Sequence, residues 1–169
     1  MAQYLIGSGP APTTASFATL ATGTAIITLL QLKASATAAM KILAWGVSFD
    51  ASAAATPGKI ELLETDVAAT VTASVAADLS KYDAAALQGG DPTTNLIQVG
   101  TTSTGYNASG EGTITSVRMF DFALIAPTNQ YVREFSLGRE PVIQISKFGR
   151  IRVKFGTGVN AYAWALVEV

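Results

Sequence analysis

The chain has 169 residues, which fits one domain on the usual scale of roughly 100–200 residues. Charged side chains make up only 14% of it, against roughly 25% in an ordinary soluble domain. The 11 basic and 12 acidic residues nearly cancel, which disfavours a nucleic-acid partner. Because the sequence has no His and no Cys, it excludes catalytic triads, Cys nucleophiles, zinc sites of the Cys/His type and disulfides.

The N-terminal region, residues 1–23, is rich in Gly, Pro, Ala and Thr. This composition predicts an extended arm that becomes ordered only on contact with neighbours. Residues 24–169 are predicted to form a single domain. The first residues lack the basic and apolar pattern of a secretory signal, and the longest apolar run, residues 25–32, is too short to cross a bilayer. We therefore expect no membrane partner.

The remaining chain predicts short strands bounded by Gly and Pro turns. Residues 68–87 have mixed propensities and are predicted as a strand followed by a loop, and residues 101–112 as a polar loop. This rhythm is typical of an all-β protein, an antiparallel β-sandwich of the jelly-roll type. The predicted strands are 24–33, 40–49, 59–65, 96–99, 113–125, 130–137, 142–146, 150–155 and 161–169.

The last predicted strand has one bulky and one nearly flat face. Ala161, Ala163 and Ala165 form the flat face, which predicts a surface that another sheet or another subunit can approach closely. Trp164 lies on the bulky face, and we expect it, like Trp45, to belong to the core. The three alanines are candidate interface residues.

A second candidate interface is a row of basic side chains. Arg150, Arg152 and Lys154 are two residues apart, so they share one face of a strand. Such a row favours an acidic partner, or it is satisfied within the chain by cross-strand ion pairs. The candidate partners within the chain are Glu134, Glu140 and Glu168.

The sequence predicts no catalytic, cofactor or metal site. A Gly-rich segment, residues 105–112, resembles a phosphate loop only superficially, because Glu111 stands where a lysine would be needed. A carboxylate-only enzyme is the remote alternative, with Asp50, Glu61 and Glu64 as its candidates. The loops at 91–96 and 101–112 could carry recognition, and Tyr106 and Asn107 are the candidate contacts.

Several segments resemble a family of small structural proteins of tailed bacteriophages, of the head decoration or minor capsid type. The resemblance covers roughly residues 40–169 and rests on framework strands and turns. The segments are Trp45-Gly46-Val47-Ser48-Phe49-Asp50, Lys59-Ile60-Glu61-Leu62-Leu63, Ala126-Pro127-Thr128-Asn129-Gln130-Tyr131, Leu137-Gly138-Arg139-Glu140-Pro141, Arg150-Ile151-Arg152-Val153 and Asn160-Ala161-Tyr162.

The resemblance implies a non-enzymatic virion protein that decorates or cements a capsid as a symmetric homo-oligomer, with a trimer favoured. Its partners would be the major capsid protein or other virion subunits, and its location the capsid surface after assembly in the host cytoplasm. Low charge and apolar strand faces are consistent with self-association. The alternative is a receptor- or glycan-binding jelly-roll head of a phage tail fibre.

Overall fold

The computed structural model describes residues 2–50, 56–82 and 97–169. In these ranges the chain forms two antiparallel β-sheets packed face to face, with one 3₁₀ turn at Ala76–Asp78. The strands are β1 (Gln3–Gly7), β2 (Leu20–Ala21), β3 (Ile27–Lys33), β4 (Met40–Asp50), β5 (Gly58–Thr65), β6 (Thr70–Ala73), β7 (Leu79–Lys81), β8 (Gly105–Gly110), β9 (Val117–Ile125), β10 (Tyr131–Glu134), β11 (Val142–Ile143), β12 (Phe148–Lys154) and β13 (Asn160–Glu168).

Eight of these strands form a jelly roll. Sheet I contains the order β10-β4-β13-β1, and sheet II contains the order β3-β12-β5-β9. Numbered along the chain from one to eight, these strands lie in the orders 6-3-8-1 and 2-7-4-5, which is the double Greek key of a jelly roll. The predicted fold class is confirmed.

The chain between β5 and β9 extends both sheets. It supplies β8 and β6, which continue sheet II beyond β3, and β7, which continues sheet I beyond β1. The predicted loop at 101–112 is therefore wrong, because residues 105–110 form β8. Gly105 allows that strand to approach β6 closely, since a Cβ at Gly105 would lie 2.3 Å from the carbonyl oxygen of Thr72.

The predicted N-terminal arm needs a correction over its first residues. β1 lies between β13 and β7 in sheet I, where Tyr4 and Ile6 are buried in the core. The alternation of Tyr4 and Ile6 with exposed or half-exposed neighbours is a strand pattern, which the high Gly and Pro content of the following residues obscures. Residues 8–19 contain no strand, and Phe17 packs on Tyr162 with ring centroids 4.5 Å apart.

Small and large side chains alternate across the core face of sheet I. Ala161, Ala163 and Ala165 of β13 are fully buried, and their cross-strand neighbours in β4 include Trp45 beside Ala165 and Phe49 beside Ala161. The small residues leave room for these rings in the space between the sheets. The flat face of the last strand therefore points into the sandwich.

Candidate functional site

The outer face of sheet I carries an aromatic groove, called the groove below. Its volume is about 410 Å³, and its lining is mostly apolar. Because the alanines of β13 point inward, the alternate residues of this strand point outward into the groove. The lining residues are Leu5, Gly7, Ala44, Tyr82, Glu134, Tyr162, Trp164 and Leu166.

Two glycines let the aromatic rings of the groove lie flat on the sheet. A Cβ at Gly46 would come within 2.7 Å of Nε1 of Trp164, and a Cβ at Gly7 would come within 1.9 Å of the Tyr162 hydroxyl oxygen. Burial raises the pKa of the Tyr162 hydroxyl above its usual value. The glycines thus keep the rings low against the sheet, and Phe17 packs on the Tyr162 ring beside the groove.

The outer side of sheet II carries a second apolar surface, called the β9 surface below. β9 is an edge strand, and within the described residues only β5 pairs with it. Phe122 and Leu124 are each 72% exposed, and Met119 beside them is 48% exposed. An edge strand of nine residues with such exposed apolar side chains is a ready template for association.

Two exposed lysines border the β9 surface. Lys59 of β5 lies opposite Leu124 on one side and opposite Lys154 of β12 on the other. Both lysines are exposed, and neither makes an ion pair with a described residue. Like charges directly opposite each other destabilise a strand pair, so a carboxylate from outside the chain would be favourable here.

Lys154 is the exposed member of the predicted basic row. Arg150 is fully buried, and its Nη1 donates to Oε2 of Glu111 at 3.1 Å, while Nη2 donates to the carbonyl oxygen of Val67. Burial lowers the pKa of Arg150, and the charge of Glu111 opposes that shift. Arg152 pairs with Glu61 at 3.2 Å. The carboxylate partners of both arginines are therefore Glu111 and Glu61, outside the predicted set.

The alanine face is not available to a second subunit. Ala161, Ala163 and Ala165 are 0% exposed and belong to the core, so of the two predicted roles they take the packing of one sheet on another. Trp45 is buried as predicted, but Trp164 is half-buried on the outer face, which corrects its assignment to the core.

The candidate recognition residues also lie elsewhere than predicted. Tyr106 belongs to β8, where it pairs with Leu30 and Thr72, and it is half-buried. Asn107 is exposed and has a left-handed backbone with φ of 53°. The predicted loop at 91–96 lies outside the described residues.

The candidate catalytic carboxylates do not meet in one site. Glu61 pairs with Arg152, Glu64 with Arg118 at 2.8 Å, and Asp50 accepts a hydrogen bond from Thr19. Over the described ranges, no three acidic side chains are grouped closely enough to hold a cation. The same ranges contain no helix with the length and apolar character to span a membrane.

Sequence reasoning missed the groove because both faces of β13 are largely apolar, and it missed the β9 surface because a bulge shifts the strand alternation. Bulges occur in two of the strands concerned. In β4 an extra residue, Leu43, lies between the residues that pair with Leu166 and Val167. In β9, Phe120 is likewise unpaired between Met119 and Asp121. A bulge moves the following residues to the other face relative to a strict period of two. The visible signal was the pair Phe122 and Leu124, two residues apart beside a Pro-containing turn.

Comparisons with known protein families, with curated protein sequences and with solved structures found no match. Functional interpretation therefore rests on the groove, the β9 surface and the jelly-roll topology.

Proposed function

We propose that this chain is a non-enzymatic structural protein of a tailed bacteriophage virion, which decorates or cements the capsid as a closed homo-oligomer. A trimer is the expected oligomer, and a subunit of the shell is the expected partner. Jelly rolls are common in viral capsid domains, although the fold alone does not assign a function. The resemblance of the framework segments to phage structural proteins supports the same role.

The observation that carries the proposal is the β9 surface. Phe122 and Leu124 are largely exposed on a strand with an open edge, in a chain with little charge to keep copies apart. An isolated soluble protein normally shields such an edge with charges, prolines or a covering segment. In a particle, a neighbouring subunit would provide that cover.

The lysines of the β9 surface define the chemistry of the partner. Lys59 and Lys154 lie opposite each other on the neighbouring strands β5 and β12, and Lys59 also lies opposite Leu124 of β9. Neither lysine has an ion-pair partner in the part of the chain that the structure describes, so burying both with that apolar area requires carboxylates on the other side. We therefore expect the shell subunit to present an apolar patch with an acidic border.

The glycan-binding alternative has less support. Its main candidate contact, Tyr106, is half-buried in β8, and its neighbour Asn107 lies in the same paired strand. An exposed aromatic ring on a recognition loop would have favoured that role, and within the described residues of 101–112 there is none.

The first experiment locates the protein. Phage particles from a lysate of the strain that carries the gene are purified by density gradient and analysed by quantitative mass spectrometry. We expect many copies per particle, in a fixed ratio to the major capsid protein. Particles without the protein would overturn the proposal.

A second experiment tests the surface. Particles depleted of the protein are incubated with purified wild type, Leu124→Asp, or the control Ile145→Asp, which alters a 47%-exposed side chain in the turn after β11. Loss of one buried leucine predicts at least about tenfold weaker attachment for Leu124→Asp. The control should bind like wild type. Equal attachment of all three proteins would show that the β9 surface does not face the shell.

A further inference from the structure

Leu137 is the most exposed large apolar side chain of the described residues. It is 97% exposed, at the tip of the turn between β10 and β11. The backbone N–H of Arg139 donates to the carbonyl oxygen of Ser136 at 2.9 Å, and Gly138 has φ of +81°. This hydrogen-bonded turn with glycine at its third position holds Leu137 in a fixed outward position.

The groove on sheet I has apolar walls and unused polar groups. Nε1 of Trp164, the hydroxyl of Tyr162 and the carboxylate of Glu134 have no hydrogen-bond or ion-pair partner among the described residues. Trp and Tyr side chains at interfaces usually combine apolar contact with a hydrogen bond from their polar group. The groove can therefore take an apolar side chain together with a piece of backbone that accepts a hydrogen bond.

We propose that Leu137 of one copy of this chain inserts into the groove of a neighbouring copy, and that this contact closes the homo-oligomer. The inference deepens the proposed function, because it names the contact between its subunits. The side chain of Leu137 is called the knob below. In a ring, each copy gives its knob to one neighbour and its groove to the other, so the contact is heterologous, and a rotation that closes it produces a ring such as a trimer. Leu137 does not fill its own groove, because it is almost fully exposed.

Charge complementarity supports a second copy as the occupant. Arg139 lies two residues after Leu137 and is exposed, while Glu134 is exposed at the rim of the groove. Neither makes an ion pair with a described residue. When Leu137 enters a neighbouring groove, Arg139 of the same turn comes close to the rim that carries the carboxylate of Glu134.

A saccharide is the competing occupant, and the lining favours leucine. Sugar hydroxyls need several converging donors and acceptors. The groove offers three polar groups between apolar walls that include Leu5, Ala44 and Leu166, and this balance suits a leucine side chain with its backbone.

The experiment measures molar mass by light scattering after size exclusion, over a range of concentrations. We expect wild type at three times the 17.5 kDa mass of one chain. Leu137→Asp removes the knob and Leu5→Asp introduces a charge into the groove wall, where Leu5 is 37% exposed. Each should weaken association about 10- to 100-fold, as expected for one buried leucine, with unchanged melting. Ile145→Asp serves again as the control and should associate like wild type.

Mixing the two variants tests the geometry. Leu137→Asp retains an intact groove, and Leu5→Asp retains an intact knob. An equimolar mixture should form one-to-one dimers and nothing larger, because only one productive contact remains. A mixture that stays monomeric would overturn the proposal, as would a Leu137→Asp variant that keeps the mass of wild type.

Charge reversal tests the second contact. Glu134→Arg and Arg139→Glu should each weaken association a few-fold, and the double variant should restore it. Additive losses in the double variant would exclude the ion pair between copies.

The outcomes separate this inference from the proposed function. A monomeric chain that is still abundant on particles would refute the ring contact and leave the virion role standing. If the protein forms a trimer that depends on Leu137 but is absent from particles, the ring contact is supported and the virion role is refuted. If Leu5→Asp leaves the mass unchanged but abolishes binding on a glycan array, the groove is a saccharide site and the inference is wrong.

Discussion

The outer faces of the two sheets differ in what covers them. On sheet II, Arg150 is buried by Glu111 and by the carbonyl of Val67, both contributed by the insertion between β5 and β9. On sheet I, the groove around Trp164 has no comparable cover among the described residues. Charge alone therefore does not identify the accessible surfaces: the basic row is largely internal, and the two accessible surfaces are apolar.

The largest loss of stability should come from removing the carboxylate that pairs with the buried Arg150. Both carboxylate oxygens of Glu111 accept hydrogen bonds from Thr28 at 2.6 Å, and one also pairs with Arg150. Glu111→Ala leaves a buried guanidinium without its carboxylate and should lower the free energy of unfolding by about 3 kcal/mol or more. Urea denaturation at neutral pH measures the change.

A double replacement distinguishes buried charge from simple packing. Arg150→Met with Glu111→Leu removes both charges and keeps similar volumes, and such replacements are often neutral. We expect it to be clearly more stable than Glu111→Ala. If the double variant is as unstable as Glu111→Ala, the loss of stability comes from disturbed packing around Arg150 and not from its unpaired charge.

The next largest loss of stability should distinguish the two faces of β13. Ala163→Phe places a ring into the filled core and should cost about 1–3 kcal/mol or more through overpacking. Leu166→Phe, on the outer face of the same strand, should change stability by about 0.5 kcal/mol or less. Thermal melting of both variants measures the difference, and similar melting temperatures would contradict the inward orientation of the alanines.

The sequence predicts the architecture because strand patterns and the turns between them are visible in it, even where a bulge interrupts the alternation, as in β4. The strands around residues 40–49, 150–155 and 161–169 and the jelly-roll class all follow from periodicity and turns. The orientation of β13 could not be predicted, because both of its faces are largely apolar. It is fixed by the bulk of Trp45 and Phe49 on the neighbouring strand, which is a property of the paired sheet.

The candidate surfaces were harder to predict than the fold. The partner of Arg150 is Glu111, which lies 39 residues away in the chain, so no local pattern could identify it. The exposure of Phe122 and Leu124 depends on β9 being an edge strand and on the bulge at Phe120. Both are consequences of topology, and apolar residues in a strand are normally assigned to the core.

The smallest loss of stability is expected from a hydrogen bond between the edges of the two sheets. The hydroxyl of Tyr131, on β10 of sheet I, donates to Oδ2 of Asp121 at 2.8 Å, and Nε1 of Trp45 donates to the same oxygen at 3.1 Å. Asp121 belongs to β9, so this carboxylate ties the edge strand of sheet II to sheet I. Tyr131→Phe keeps the ring that packs on Trp45 and should cost about 1 kcal/mol, the usual contribution of one hydrogen bond.

The pH dependence of stability tests the environment of the Tyr131 hydroxyl, to which both burial and Asp121 contribute. Burial, followed by the hydrogen bond and the charge of Asp121, raises the pKa of Tyr131 from 10.0 to about 12. Because the folded state favours the neutral phenol, the contribution is complete below pH 10 and is lost as the pH rises from 10 to 12. Urea denaturation across this range should show a steeper decline for wild type than for Tyr131→Phe. Tyr162 is present in both proteins, so its own raised pKa cancels in the difference, and parallel curves would show that Asp121 does not hold the Tyr131 proton.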